Sequence, residues 1–197
     1  MKKLFYIDAC LRDGSNTKKI AEAVISELSK RYDIETIRLS DHNFPVVNND
    51  ILNDRNNGYV PEEYVEIARK IAAAERLVIA APFWDMSFPS ALKVFFENMS
   101  LFNVTFGSNE KECYGLCKAE KVLYITTRGM NISTGDELEQ ATPYIKALSI
   151  SAKRHFPIRP RRTATESLPR DIRSSSVKRL PRATAKRITV LLSPTSC

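Results

Sequence analysis

Short apolar runs alternating with helix-patterned segments fill residues 1–151 of this 197-residue chain, and that alternation admits few architectures. Residues 3–9, 33–39, 76–81 and 121–126 read as strands. Between and after them, 15–31, 61–74, 89–101 and 135–148 read as helices. Ile20, Ala21, Val24, Ile25 and Leu28 fall at helical spacing in the first, and Val65, Ile67, Ala68 and Ile71 in the second. Strands separated by helices imply an α/β fold, an open parallel sheet with right-handed crossovers and helices on both faces. The polar, Asn-rich stretch 40–58 is expected as a long loop, and 102–120 as an irregular connection.

In such a sheet, ligands bind outside the carboxyl ends of the strands, so three strand ends draw attention. The run Arg76 to Ala81 stops at Pro82, and Phe83, Trp84, Asp85 and Met86 follow before Ser87, Pro89 and Ser90 open a helix. Proline suits a first helical turn, where its missing N–H costs nothing. Exposed aromatic residues beside free backbone N–H groups can stack on a flat ring and hydrogen-bond its edge; the alternative is a plain strand-to-helix turn with apolar core residues. The first strand end continues as Cys10-Leu11-Arg12-Asp13-Gly14-Ser15-Asn16-Thr17. Gly14 permits a tight turn, and Ser15, Asn16 and Thr17 place polar groups at a helix N-terminus, which attracts anions such as phosphate. Simple capping by Ser15 is the alternative there. The third strand end reads Thr126-Thr127-Arg128-Gly129-Met130. Neither a nucleotide-triphosphate loop nor a GxGxxG fingerprint is present.

Charge divides the chain. The whole carries +7, but residues 152–197 hold 12 Lys or Arg against 2 acids, leaving a net of −3 on residues 1–151. Half of the ten prolines and none of the six glycines lie beyond residue 151. Two regions are therefore expected: a globular domain over 1–151 and a basic, low-order tail over 152–197. No apolar stretch approaches the roughly 20 residues of a membrane span, and Asp8 cuts the first apolar run too short for a signal peptide. Four cysteines without a repeating frame suit reduced thiols and a cytoplasmic setting. Cys113 and Cys117 lack the second pair that a zinc site needs, and no metal is expected. His42 and His155 have no sequence partners that suggest a catalytic pair.

Taken together, the segments PFWDMSFPSALK, CLRDGSNT and TRGM, in their order over residues 2 to about 150, resemble the FMN-dependent NAD(P)H:quinone oxidoreductases and NADH-azoreductases of the flavodoxin-like fold. Asn103 to Phe106 and Gly115, Leu116 and Lys118 add to the likeness. The resemblance implies a two-electron, ping-pong hydride transfer from NADH or NADPH through FMN to a quinone or azo compound. It assigns Cys10, Ser15, Asn16 and Thr17 to the FMN phosphate. Phe83, Trp84, Asp85 and Met86 would hold the isoalloxazine ring and its edge, with Thr126, Thr127, Arg128 and Gly129 closing the other side. No protein nucleophile is implied. A homodimer is, with Phe102 or Phe106 lining a pocket at its interface or else serving as core. Four positions depart from the family pattern: Cys10 replaces a serine, Asp85 an amide, Met86 an aromatic residue and Met130 a glycine. An acidic Asp85 near the flavin would oppose an anionic reduced ring.

The same likeness calls for one more strand and helix after about residue 148, and this unit reads as missing or degenerate. Arg-, Ser- and Pro-rich text such as Arg159-Pro160-Arg161-Arg162 stands there, with one late apolar run, Ile188 to Leu192. Out-of-frame translation of a final strand–helix unit would give such text. A basic arm for nucleic acid or anionic membrane is the alternative, weakened by having only one aromatic residue, Phe156, for stacking. Other classes of function remain: an NAD(P)H-dependent FMN reductase, a flavodoxin-type electron carrier, which would be more acidic than this body, or a non-enzymatic module with a polyanion-binding tail.

Overall fold

The computed structural model describes residues 1–152, 155–157 and 187–194. Four parallel strands form the sheet's core: β1 (Lys2–Asp8), β2 (Tyr32–Arg38), β3 (Arg76–Ala80) and β6 (Lys121–Arg128), in the spatial order β2-β1-β3-β6. Along β1, Leu4 and Tyr6 face one side while Phe5 and Ile7 face the other, and all four are buried. That is why these strands read as continuous apolar runs.

On one face α1 (Asn16–Leu28) lays Ala21 against Leu4, Tyr6, Val78 and Ile125. On the other lie α3 (Glu62–Ala73), α4 (Ser90–Met99) and α5 (Ala141–Ser151), enclosing Leu92, Phe95, Phe96 and Ile145. The chain leaves β1 for β2 on one side and returns to β3 on the other, so β1 and β3 flank a topological switch point. Their carboxyl ends are the first and second loops singled out above.

Four features differ from the sequence reading. The expected 40–58 loop begins within a short 3-10 turn (Leu39–Asp41) and contains α2 (Asn49–Asn56); no residue of α2 is buried. With no apolar face there was no periodicity to see. Its anchors are polar: Asn48 Oδ1 accepts from Ile51 N at 3.0 Å, and Arg55 donates to Glu97 O and Asn98 Oδ1 on α4 at 3.1 and 3.2 Å. The 102–120 connection holds a hairpin of β4 (Phe106–Ser108) and β5 (Glu112–Gly115), joined by β7 (His155–Pro157) into a second, antiparallel sheet.

Helix α5 begins at Ala141 rather than 135, because Gly135 sits at φ 92° and Glu139 Oε1 accepts from Thr142 N at 2.9 Å, capping the helix later. Finally, β8 (Arg187–Pro194), within the segment expected as a low-order tail, pairs antiparallel with β6. The backbone row at the edge of β6 is thereby paired, and the five-stranded sheet is mixed. Most of the expected tail, including Arg159 to Arg162, lies outside the described residues. Among the described residues no helix is long and apolar enough to cross a membrane.

Candidate functional site

Thr127, at the end of β6, joins the three strand-end loops. Its hydroxyl lies 2.7 Å from that of Thr17 in the first turn of α1, and its carbonyl accepts from Phe83 N at 3.1 Å. The loops are thus one structure at the carboxyl edge of the sheet, drawn from residues more than a hundred apart in sequence.

The first loop is organised by its own neighbours. Asp8 Oδ1 accepts from Cys10 N at 2.9 Å, a side chain imitating a backbone turn. Gly14 takes φ 67°, which costs glycine little. Ser15 then caps α1, its hydroxyl accepting from Lys18 N at 3.3 Å. The N–H groups of Asn16 and Thr17 belong to the first helical turn, which has no intrahelical acceptors for them. Asn16 and Arg12 are exposed, whereas Ser15 and Thr17 are buried. Lys18 Nζ stands 3.8 Å from the buried Asp8 carboxylate and offsets its charge beneath the loop. Burial, with Asp8 as the second cause, pushes the Cys10 thiol up to about 12. Its sulfur points to Ala80 O at 3.7 Å. Burial thus favours the neutral thiol at Cys10 over the reactive thiolate.

The second loop is a tight hairpin. Trp84 N donates to Ser87 O at 2.9 Å and Ser87 N to Trp84 O at 2.8 Å, with Asp85 at φ 46° and Met86 at φ 62° between them. Positive φ at both central residues is the type I′ geometry, which usually takes Asn-Gly. Two non-glycine residues here store strain. Phe83 is buried in the core cluster, Met86 half-buried against it, and Trp84 and Asp85 are exposed.

Residues 126–129 do not act alike. Thr127 faces α1, while Thr126 and Arg128 are buried on the opposite face of β6. The Arg128 guanidinium lies over the Phe83 ring, 5.1 Å from its centroid, and donates to Ile132 O and Thr134 Oγ1. Its carboxylate partner is Glu139, at 3.6 Å. Sequence reading passed over Glu139 because a single acid in a polar stretch gives no sign of burial. It also did not single out Leu11 and Met130 as exposed; with Trp84, read as exposed from the sequence, they leave one open apolar side chain on each loop, at 36, 41 and 42%. Large apolar side chains left open on three adjoining loops suit an apolar ligand surface.

Phe102 is exposed and packs edge-on against Phe106 at 5.8 Å, away from these loops in sequence. Among the described residues, no group of three or more His, Cys, Asp or Glu is placed to hold a metal.

The start of α1, an exposed apolar rim and a hairpin turn thus adjoin at one edge of the sheet, an arrangement that suits a flat, phosphorylated molecule. Comparison with known proteins points the same way. The family model described as "flavodoxin-like fold" matches residues 2–150. An FMN-dependent NADH:quinone oxidoreductase 2 of Clostridium acetobutylicum is 30% identical over 158 residues, covering 75% of this chain and 79% of the relative. The FMN-dependent NADH:quinone oxidoreductase of Staphylococcus haemolyticus is 27% identical over 164 residues, with 74% and 79% covered. Among solved structures, an FMN-dependent NADH-azoreductase from Bacillus anthracis in complex with FMN superposes with a TM-score of 0.64 at 22% identity, covering 77% of this chain and 82% of that one. This last likeness concerns the fold.

Proposed function

The chain belongs to the flavodoxin-like-fold family that includes the FMN-dependent NADH:quinone oxidoreductases, and from that membership we propose that it is an FMN-dependent oxidoreductase passing electrons from NADH or NADPH to quinones or azo compounds. The observation that carries this reading is the joining of three strand-end loops through Thr127 at the switch point of the sheet.

The residues present fit FMN. Its phosphate would sit on the N-terminal turn of α1, against the Ser15 and Thr17 region and the Asn16 side chain, with Arg12 adding positive charge. Cys10, buried with its sulfur directed to Ala80 O, would be an uncharged neighbour that spares the phosphate a repulsive thiolate. Trp84 to Met86, in the turn closed by the Trp84–Ser87 hydrogen bonds, would hold the ring edge. Leu11, Trp84 and Met130 would shield the ring from water. Bound FMN would supply the redox chemistry, accepting a hydride from the nicotinamide and delivering two electrons to the acceptor in a separate, ping-pong half-reaction.

Arg128 would contribute from behind, through the packing of Phe83, and Thr126 is buried on the same face of β6. Asp85 brings a carboxylate to the turn, which opposes negative charge on a reduced ring. The exposed Phe102 supports the homodimer that the family resemblance implies.

The test is the visible spectrum of the purified protein mixed with FMN and desalted, followed by anaerobic NADH. A retained flavin band that bleaches, and returns on adding a quinone, is the expected result. A protein that retains no flavin overturns the reading.

A further inference from the structure

The second loop holds two non-glycine residues in the left-handed region, and something must pay for that strain. The restraint arrives from two directions. From one side, the Arg128 guanidinium covers the face of Phe83, the residue just before the turn. From the other, Gln140 N donates to Met86 O, inside the turn, at 2.9 Å. Both restraints lead to one buried ion pair. Glu139 is fully buried, faces Arg128 at 3.6 Å, and caps α5 by accepting from Thr142 N at 2.9 Å. That cap fixes the helix start from which Gln140 reaches the turn.

The pair is costly to bury. Among the described residues, Arg128 Nε, Glu139 Oε2 and Thr142 Oγ1 have no hydrogen-bond partner. Burying an ion pair with unmet polar atoms costs more than apolar residues of the same shape would. We propose that Arg128 and Glu139 are a pair of positioning residues that hold the Trp84–Ser87 turn in its strained geometry and so preorganise the flavin-ring edge of the site. The role at the flavin rests on the oxidoreductase reading; the hold on the turn does not. Neither residue touches the ring: Arg128 acts through Phe83, and Glu139 through the start of α5.

Trp84 is the only tryptophan of the chain and lies in the turn itself, so it reports the turn's mobility without any ligand. The full chain is compared with Glu139→Gln and with the double variant Arg128→Met/Glu139→Leu. Each is measured by thermal melting, by acrylamide quenching and anisotropy decay of Trp84 without flavin, and by FMN titration. The double variant is expected to stay folded, yet to show a more mobile, more quenchable Trp84. Its FMN Kd should rise at least about tenfold, as for other partners that orient a site from behind. Glu139→Gln should move in the same direction by less.

A folded double variant with parental Trp84 behaviour and parental FMN affinity overturns the proposal. If the double variant fails to fold, Glu139→Gln decides, and parental values there overturn it equally. Loss of folding in both variants assigns the pair to stability and also overturns it. A parent chain that binds no FMN while the variants still loosen Trp84 counts against the oxidoreductase reading alone.

Discussion

Gly14 and Met86 take almost the same left-handed φ, 67° and 62°, at the ends of two neighbouring strands, yet one is a glycine and the other is not. The loop around Gly14 is built from near neighbours. Asp8 turns the chain through Cys10 N, glycine makes the bend, and Ser15 closes α1. The loop around Met86 has no such local means. Its geometry is imposed by Thr127 O, Gln140 N and Arg128, all at least 40 residues further along the chain. A turn written locally costs little and can form with its helix. A turn held from a distance exists only once β6 and α5 are in place.

Variants can break that contrast. The largest effect is expected at Phe83, where the distant restraints meet the core. Phe83→Ala should cost about 3–5 kcal/mol in a urea unfolding experiment, through the cavity it leaves. A cost near that of a surface site would show that the second loop is not coupled to the core. Gly14→Ala comes next. A Cβ at Gly14 meets nothing within 4 Å, so its cost is conformational alone, about 1–2 kcal/mol. Ser15→Ala should lose about 1 kcal/mol with the cap, and FMN titration should show weaker binding as well if the start of α1 seats the phosphate.

Asp85→Gly is expected to have the opposite sign. It relieves a left-handed residue in an exposed position and should raise stability by about 0.5 kcal/mol, less than the strain itself because glycine also enlarges the unfolded ensemble. A loss in its place would mean that Asp85 is not strained. The smallest effect near neutral pH belongs to Cys10. Its native thiol should resist iodoacetamide at pH 8 and react only after unfolding, as mass spectrometry would read. The raised native value makes the folded state hold its proton longer. Stability from this group is therefore complete below about 9, the ordinary thiol value, and is lost as pH climbs from there to about 12.

How much of this was legible beforehand varies by element. β1, β3 and β6 were readable because strands buried on both faces carry unbroken apolar runs, and α3 because Ala68 and Ile71 face the core at helical spacing. α2 was not, since an exposed helix held by Asn48 and Arg55 leaves no apolar stripe. In the site, Ser15 and Gly14 declared their roles through ordinary capping and turn chemistry. Thr126 and Arg128 were grouped with Thr127 by adjacency, although alternation along a strand sends them to the opposite face.

Residue order alone determined the strand–helix alternation, the location of three loops at one sheet edge, and the local turn at Gly14 and Ser15, because these follow from side-chain periodicity and short-range hydrogen bonding. The antiparallel arrival of β8 on β6, the left-handed turn at Asp85 and Met86, and the burial of Arg128 against Glu139 were decided by tertiary structure. Each depends on groups far apart in sequence. Strand direction, backbone strain and charge burial are settled by whichever partners the packed fold brings within bonding distance.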